Sequence, residues 1–377
     1  MPKTIRFIAL IAGIVLLLKV SLQAQVPDLP PNTANTPVFV VKSRLVMVPA
    51  VVRDKNGVLL DNLTRENFEL RVDGKVKKYR YFDHDTNAPL TIGLLVDTSM
   101  SQGGVLKEEK TASAAFLTNM LKADDKSFVV QLDYRLLLLT DVTGDKSAVE
   151  KSLRHLDLPQ PILPSTPVPP DPNMADSKRL RDAEKQYRKD KEEYAEKRRE
   201  AYQAIFGTKL YDAVYISSLA VTKGQKGTRA LIALTDGEDH GSKYSMEQAI
   251  AAAQHADTVI YGIYYTSSKK APQKPINYSN ANLGQYGSDI LGLPGKKILQ
   301  RMCFQTGGKV FEVKEDQSVE DIYAKIAEEI REQYRLGFTP EVDAAPGFHS
   351  LSVALKGPET KGGMLQSRDG FYIVPND

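Results

Sequence analysis

A short apolar strand that ends in a carboxylate and two hydroxyls constrains the fold of this chain more than any other stretch. Residues 92–96 form an uninterrupted apolar run of the kind that a strand buried on both faces shows. Asp97, Ser99 and Ser101 follow with the spacing Asp-x-Ser-x-Ser, and an amphipathic helical pattern begins at Leu106. Strand, polar loop and helix in this order predict an open α/β sheet, which binds ligands at the carboxyl ends of its strands.

Two further positions downstream carry the same kinds of oxygen ligand. Thr208 lies in a Gly-Thr pair where the next helix is predicted to begin, and Asp236 follows the second apolar strand, residues 230–234. Carboxylates and neutral hydroxyls suit Mg²⁺, which accepts few protein ligands and keeps open positions. The alternative is that Asp97 and Thr208 only cap the helices that they precede.

This ordered set resembles the metal-ion-dependent adhesion site of the von Willebrand factor A domain, over about residues 88–335, and the flanks resemble bacterial secreted VWFA-related proteins. The resemblance implies a bound Mg²⁺ ion, with Mn²⁺ or Ca²⁺ as alternatives. It implies five residues around the ion: Asp97, Ser99, Ser101, Thr208 and Asp236. It also implies a protein ligand that presents a carboxylate, because hydroxyls and water neutralise little of the metal's charge.

Between residues 88 and 332 the strand and helix patterns alternate. Alternation predicts a doubly wound, mostly parallel sheet, von Willebrand A-like and Rossmann-like in class. Residues 128–133 and 136–140 are separated by a tight connection, which favours an antiparallel hairpin at the sheet edge. Residues 267–292 are polar and rich in Gly, Asn, Ser and Tyr, and we expect a long loop there.

Both ends of the chain carry strand patterns, in residues 38–86 and 333–377. The first includes Asp73-Gly74, a strong hairpin signal. Neither end has enough strands to be stable alone. We therefore predict one small β domain built from both ends, into which the α/β domain is inserted. The alternative is that the two ends decorate the central sheet separately.

An insert at residues 159–203 interrupts the α/β domain. Its first part, to residue 172, contains seven prolines and cannot be helical. Its second part is dense in charge and carries one apolar residue in every seven, a narrow stripe on a helix. The stripe consists of Leu180, Tyr187, Tyr194 and Ala201. A solvated insert and a specificity arm are both open, because the insert returns to the predicted metal face just before Thr208.

The first 24 residues are typical of a secretory signal peptide, and residues 25–37 of a linker. Lys3 and Arg6 precede an apolar run, residues 7–18, that is too short to span a membrane. We expect cleavage near Ala24, and a secreted, periplasmic or envelope protein with no stable membrane span afterwards. Because Leu22 is larger than the cleavage rule prefers, an uncleaved anchor is the alternative.

The net charge and the cysteine count argue against nucleic-acid binding and against an intramolecular disulfide. The formal net charge is +3 and equals the charge of three basic residues in this leader, so nothing argues for nucleic-acid binding. Cys303 is the single cysteine, so no intramolecular disulfide can form. Its apolar helical surroundings favour a small core residue over a nucleophile.

Three kinds of enzyme lack their usual residues. A phosphatase with Asp97 as nucleophile would need a second acid where Ser99 stands. A serine hydrolase would need Gly-x-Ser-x-Gly, and a zinc hydrolase would need paired histidines. The histidines are scattered: His84, His155, His240, His255 and His349. We therefore expect a protein-binding module rather than an enzyme. A structural or assembly protein of the envelope without metal-dependent binding is the alternative, and a metal-dependent hydrolase is a more remote one.

Overall fold

The computed structural model describes residues 45–160, 162–174, 176–265, 295–313, 317–341 and 344–373. The leader, the linker, the strand pattern before residue 45 and the long loop 267–292 all lie outside the described residues. Within this part of the chain, no helix is both long enough and apolar enough to cross a bilayer.

Strands and helices of the described residues are numbered in chain order. The strands are β1 (Val46–Arg53), β2 (Phe68–Val72), β3 (Lys75–Val76), β4 (Tyr81–Asp83), β5 (Leu90–Asp97), β6 (Lys126–Leu132), β7 (Leu136–Thr143), β8 (Thr228–Thr235), β9 (Thr258–Tyr264), β10 (Val310–Glu312), β11 (Tyr334–Phe338), β12 (Gly347–Leu355), β13 (Met364–Ser367) and β14 (Gly370–Ile373). The α-helices are α1 (Leu106–Met120), α2 (Lys146–Arg154), α3 (Ser177–Phe206), α4 (Leu210–Ile216), α5 (Met246–His255), α6 (Gly295–Thr306) and α7 (Val319–Arg331).

The central sheet has six strands in the order β10-β9-β8-β5-β6-β7. All neighbours are parallel except β6 and β7, which form the antiparallel hairpin expected at the edge. Every residue of β5 is buried, because both faces of a parallel sheet are covered by helices. The doubly wound class predicted from the alternating pattern is confirmed.

Two apolar cores cover the two faces of the sheet. One joins β5 and β8 to α1, α2 and α7. The other joins the opposite faces of the same strands to α4, α5 and α6, and it contains Cys303, which is fully buried, as expected of a core residue. Helix α4 continues directly as a π-helix, Ser217–Thr222.

The small β domain consists of two four-stranded sheets that share one core. Their orders are β13-β1-β11-β4 and β14-β12-β2-β3, so each sheet takes strands from both ends of the chain. Strand β1 pairs with β11, and β2 pairs with β12, both antiparallel. These pairings confirm the domain built from both ends and contradict two separate decorations. Strands β4 and β13 were not evident in the sequence.

The Asp73-Gly74 turn joins β2 to β3 as predicted. Both residues have positive φ, 48° for Asp73 and 76° for Gly74. Two consecutive positive φ angles give the turn a twist that matches the twist of the strands. The Asp73 carboxylate also accepts a hydrogen bond from the Ser350 backbone N–H (2.9 Å), which ties the hairpin to the C-terminal strand β12.

The insert is a proline-rich segment whose described residues lie in neither a helix nor a strand, followed by the 30-residue helix α3. Asp176 caps the helix, because its carboxylate accepts hydrogen bonds from the Lys178 and Arg179 backbone N–H groups. Tyr194 and the buried Ala201 of the predicted stripe line an open groove against the proline-rich segment. The outer part of α3 is exposed, as expected for a helix that is polar on most of its surface.

We predict that Phe371→Ala destabilises the β domain by about 3–5 kcal/mol, because the side chain is 3 % exposed in the shared core. Phe348→Ala, at a side chain 46 % exposed in the same sheet, is the matched control and should cost about 1 kcal/mol or less. Hydrogen exchange measured by mass spectrometry should quicken in β2 and β12 for Phe371→Ala, while β5 stays protected. Faster exchange confined to β14 would contradict a core shared by the two chain ends.

Candidate metal centre

The predicted site residues lie at one edge of the central sheet. Strands β5 and β8 are adjacent and parallel, so their carboxyl ends meet at the same place. Asp97 is the last residue of β5, and Asp236 directly follows the last residue of β8. The pairing register therefore brings together two carboxylates that are 139 residues apart in the sequence.

Asp97 is held in a fixed orientation. Its Oδ1 accepts a hydrogen bond from the Ser99 backbone N–H (2.8 Å), and its Oδ2 accepts one from Thr235 Oγ1 (2.7 Å). The residue is fully buried. Its carboxylate is thus placed before any ligand arrives, with one bond from its own loop and one from the neighbouring strand.

A chain of hydroxyls leads from Asp97 towards solvent. Ser99 Oγ lies 2.9 Å from Ser101 Oγ, and Ser101 Oγ donates to Asp236 Oδ2 (2.7 Å). Gln102 Nε2 donates to Ser101 Oγ from the other side (3.3 Å). Ser99 is buried and Ser101 is exposed. The four side chains Asp97, Ser99, Ser101 and Asp236 therefore belong to one cluster that opens at the surface.

Thr208 is brought to this edge by its backbone. Its N–H donates to the His240 carbonyl (3.1 Å), and the His240 N–H donates to the Thr208 carbonyl (2.7 Å). The Asp239 carboxylate reinforces the bridge by accepting from the Tyr211 backbone N–H (2.9 Å). The loop that follows Asp236 is thus fastened to the start of α4, and Thr208, which is buried, lies beside it.

Gly237 allows the chain to turn immediately after Asp236. Its φ is +79°, and a Cβ at this position would lie 2.1 Å from the Gly295 carbonyl oxygen. A residue with a side chain would therefore be strained and would clash. The Gly237 N–H donates to Thr235 Oγ1 (3.0 Å), the same hydroxyl that donates to Asp97.

The two carboxylates of the cluster are in an unfavourable electrostatic environment. Burial, together with the neighbouring Asp236 charge, raises the pKa of Asp97 to about 7. Burial also raises the pKa of Asp236, against the hydrogen bond from Ser101, which lowers it. A positive ion between the two carboxylates would remove the repulsion, so their arrangement favours cation binding.

The donor set fits a small, hard cation. Two carboxylates and two serine hydroxyls offer oxygen ligands only, as Mg²⁺ prefers, and Thr208 lies on the adjoining backbone bridge. In the described part of the chain, no group of three or more His, Cys, Asp or Glu side chains is arranged to hold a metal. His240 instead makes an exposed ion pair with Glu238 (3.1 Å), which raises the pKa of His240 above its ordinary value. The donor set of oxygen atoms alone therefore fits a hard divalent cation such as Mg²⁺.

Three neighbouring residues were not assigned a role from the sequence. Thr235 orients Asp97, and Gln102 contacts Ser101. Glu109 is fully buried on the first turns of α1, in the same electrostatic neighbourhood as Asp97. Glu109 did leave a signal, because it interrupts the apolar helical spacing of Val105, Ala112 and Phe116 with a charge.

Comparisons with known proteins gave structural matches only. No protein-family model and no curated protein sequence matches this chain. An aerotolerance-related membrane protein from Bacteroides fragilis is 16% identical, with a TM-score of 0.41 over 64% of this chain and 98% of its own. BatB from Bacteroides thetaiotaomicron is also 16% identical, with a TM-score of 0.40 over 64% and 97%. Proximal thread matrix protein 1 from the mussel byssus, with a zinc-occupied MIDAS motif, is 15% identical, with a TM-score of 0.39 over 69% of this chain and 49% of its own.

These proteins are similar to this chain in fold alone. The class of fold follows from three features of the chain itself. These features are the mostly parallel six-stranded sheet, the antiparallel edge strand β7, and the Asp-x-Ser-x-Ser loop at the carboxyl end of β5. Together they define a von Willebrand A-like domain, as the resemblance in the sequence implied. It is combined here with a small β domain.

We predict that Asp97→Asn raises the melting temperature of the metal-free protein at pH 8 by at least about 3 °C. The pKa of Asp97 is higher folded than unfolded, so its contribution to stability is complete below pH 4 and is lost as the pH rises to about 7. The shift corresponds to an upper bound on the order of 4 kcal/mol. Melting curves with chelator at pH 8 and pH 4 should show the difference at pH 8 only.

Asp141→Asn removes an exposed carboxylate from edge strand β7 and is the control. It should leave the melting temperature unchanged at both pH values. A lower melting temperature for Asp97→Asn at pH 8 would show that the Asp97 hydrogen bonds outweigh the repulsion, which contradicts our account of the site.

Proposed function

We propose that this chain is a secreted, periplasmic or envelope module that binds a protein partner through a Mg²⁺ ion. Five residues would hold the ion: Asp97, Ser99, Ser101, Thr208 and Asp236. The observation that carries the proposal is the cluster of two repelling carboxylates, linked by serine hydroxyls, that opens to solvent at one edge of the sheet. Mn²⁺ and Ca²⁺ are alternative ions, because they accept the same oxygen ligands.

The charge of the ligands decides what the ion can bind. Asp97 and Asp236 supply the anionic groups, and the hydroxyls add no charge. An ion held largely by neutral oxygen atoms keeps part of its positive charge for a further ligand. The exposed side of the cluster, at Ser101, is where that ligand would enter. A carboxylate of a protein partner fits this position in charge and in ligand type.

The proposal is one of binding and not of catalysis. Hydrolysis needs a general base within reach of a water molecule. His240, the histidine nearest this edge in sequence, is paired with Glu238. Its backbone is fixed in the bridge to Thr208. Both observations support a structural role for His240.

The insert supports a role in partner choice. The base of α3 contacts the Met100–Gln102 turn, which contains Ser101 of the cluster. Gly207 follows α3 directly and packs so closely on Tyr134 that a Cβ would approach the Tyr134 Cβ to 2.5 Å. The insert therefore rises from the same edge as the proposed metal site. We propose that its outer part contacts the partner, as a specificity arm would.

Metal uptake tests the proposed function directly. Calorimetric titration of the wild type with Mg²⁺, with Mn²⁺ and with Ca²⁺ should show one site for each ion that binds. Asp97→Ala should abolish uptake, because it removes a charge next to the ion. Ser101→Ala should weaken affinity about tenfold, because it removes one neutral ligand. Asp141→Ala, on the exposed edge strand, should bind as the wild type does.

Partner binding is tested by capture of envelope proteins on the immobilised chain. Capture should occur with Mg²⁺ and be lost with chelator and with Asp97→Ala. Capture that is equal with Mg²⁺ and with chelator would favour the structural or assembly protein. Absence of uptake of any of the three ions by the wild type would contradict the adhesion-site assignment.

Deletion of residues 159–199 tests the arm. We predict unchanged folding and metal affinity, because the deletion keeps Ala201 and Ala204, which are buried at the base of α3. Capture of the partner should be lost, as judged by the same immobilised-chain assay. Retained capture would show that the insert is only a solvated projection. Loss of folding, seen by circular dichroism, would contradict both interpretations.

A further inference from the structure

Glu109 is a buried carboxylate without a visible partner. The residue is 0 % exposed, and in the described part of the chain neither Oε1 nor Oε2 has a hydrogen-bond partner. A buried charge is very unfavourable unless it is paired or coordinates a cation. Its neighbours on α1 follow the usual pattern, since Lys107 and Glu108 are exposed. The buried Glu109 carboxylate therefore needs a positive charge or a hydrogen-bond donor to stabilise it.

Glu109 lies on the face of α1 that packs against the central sheet, soon after the Asp97–Ser101 loop. Helix α1 follows the Asp97–Ser101 loop, and the Glu109 backbone N–H donates to the Val105 carbonyl (3.1 Å). Residues of the same face, such as Ala112 and Phe116, pack in the core against the central sheet. One turn further on, Ser113 Oγ lies 2.8 Å from the Tyr323 hydroxyl, so the next polar group on this face is satisfied locally.

The charges that act on Glu109 are all negative. Burial, and then the carboxylates of Asp97, Glu108 and Asp236, raise the pKa of Glu109 well above its ordinary value. Glu109 thus lies within electrostatic range of both carboxylates of the cluster.

A second orphaned acceptor, Gln102, precedes Glu109 along the same stretch of chain: the Val105 N–H donates to the Gln102 carbonyl (3.0 Å), and the Glu109 N–H donates to the Val105 carbonyl (3.1 Å). Gln102 is fully buried and donates from Nε2 to Ser101 Oγ, while its Oε1 has no donor among the described residues. Gln102 Oε1 and the two Glu109 oxygens are three buried acceptors without donors. A hydrated cation brings both the positive charge and the O–H donors that such a group needs.

We infer that Glu109 is a further carboxylate of the metal centre, which acts on the cation through its bound water and not as a direct ligand. The inference rests on the proposed function and adds a residue outside the Asp-x-Ser-x-Ser pattern. The third negative charge holds the ion more tightly before the partner arrives and favours divalent over monovalent cations. It also weakens the attraction of the ion for the partner's carboxylate, so Glu109 raises metal affinity at the expense of partner affinity.

The test compares Glu109→Gln, which keeps the shape and removes the charge, with Glu108→Gln. The control removes the same charge from the adjacent, exposed residue. In calorimetric titration with Mg²⁺ alone, Glu109→Gln should weaken affinity at least tenfold, as loss of groups behind the direct ligands does in other metal sites. Glu108→Gln should stay within about twofold of the wild type. Without metal, Glu109→Gln should melt at a higher temperature than the wild type.

Glu109→Leu provides a second variant that fills the same buried space, should the glutamine variant fail to fold. It should show the same loss of affinity and the same gain in metal-free melting temperature. Wild-type affinity in whichever of the two variants folds would overturn the inference. A wild type that takes up no Mg²⁺ would overturn the proposed function and this inference together. A wild type that binds Mg²⁺ beside a variant that binds equally well would overturn the inference alone.

Discussion

The parallel pairing of β5 with β8 is the contact on which the rest of the site depends. Its register places the ends of two strands side by side, so that Thr235 Oγ1 can donate across the pair to Asp97 Oδ2. The same hydroxyl accepts from the Gly237 N–H and so fixes the turn that carries Asp236. A slip of one residue would point each side chain to the opposite face of the sheet and separate the carboxylates. Both cores of the α/β domain pack on these two strands and hold the register.

The buried carboxylates of the candidate metal centre lower the stability of the metal-free fold. Asp97 and Glu109 are carboxylates placed where burial and mutual repulsion disfavour their charged forms. Hydrogen bonds from Ser99 and Thr235 compensate for only part of this cost at Asp97. Strain of this kind is typical of functional sites, because a protein selected for stability alone would replace such groups. A divalent cation would convert the repulsion into attraction, which supports the binding role that we propose for the cluster.

The small β domain is fastened to the α/β domain by polar contacts. Glu329 of α7 is buried and forms ion pairs with Arg53 of β1 and with Lys309. On the other side, the Gln254 side chain of α5 accepts from the Tyr372 N–H of β14 (3.0 Å). Strands from both ends of the chain thus contact helices of the inserted domain. None of the residues in these contacts belongs to the candidate metal centre. Helix α3 of the insert instead contacts the Met100–Gln102 turn at the edge with the candidate metal centre.

The sequence by itself determined the alternation of strands and helices, the β domain from both ends, and four oxygen-bearing residues of the cluster. These could be predicted because burial on both faces leaves apolar runs, and because strands that end in Asp or Asp-x-Ser-x-Ser mark the ligand-binding edge. Only the tertiary structure decided which other residues contact and orient these side chains. Thr235 and Gln102 have common side chains whose roles depend on a neighbouring strand or loop. A role for Glu109 could be proposed only from its burial, since a charged residue on a helix is ordinary until packing removes the water around it.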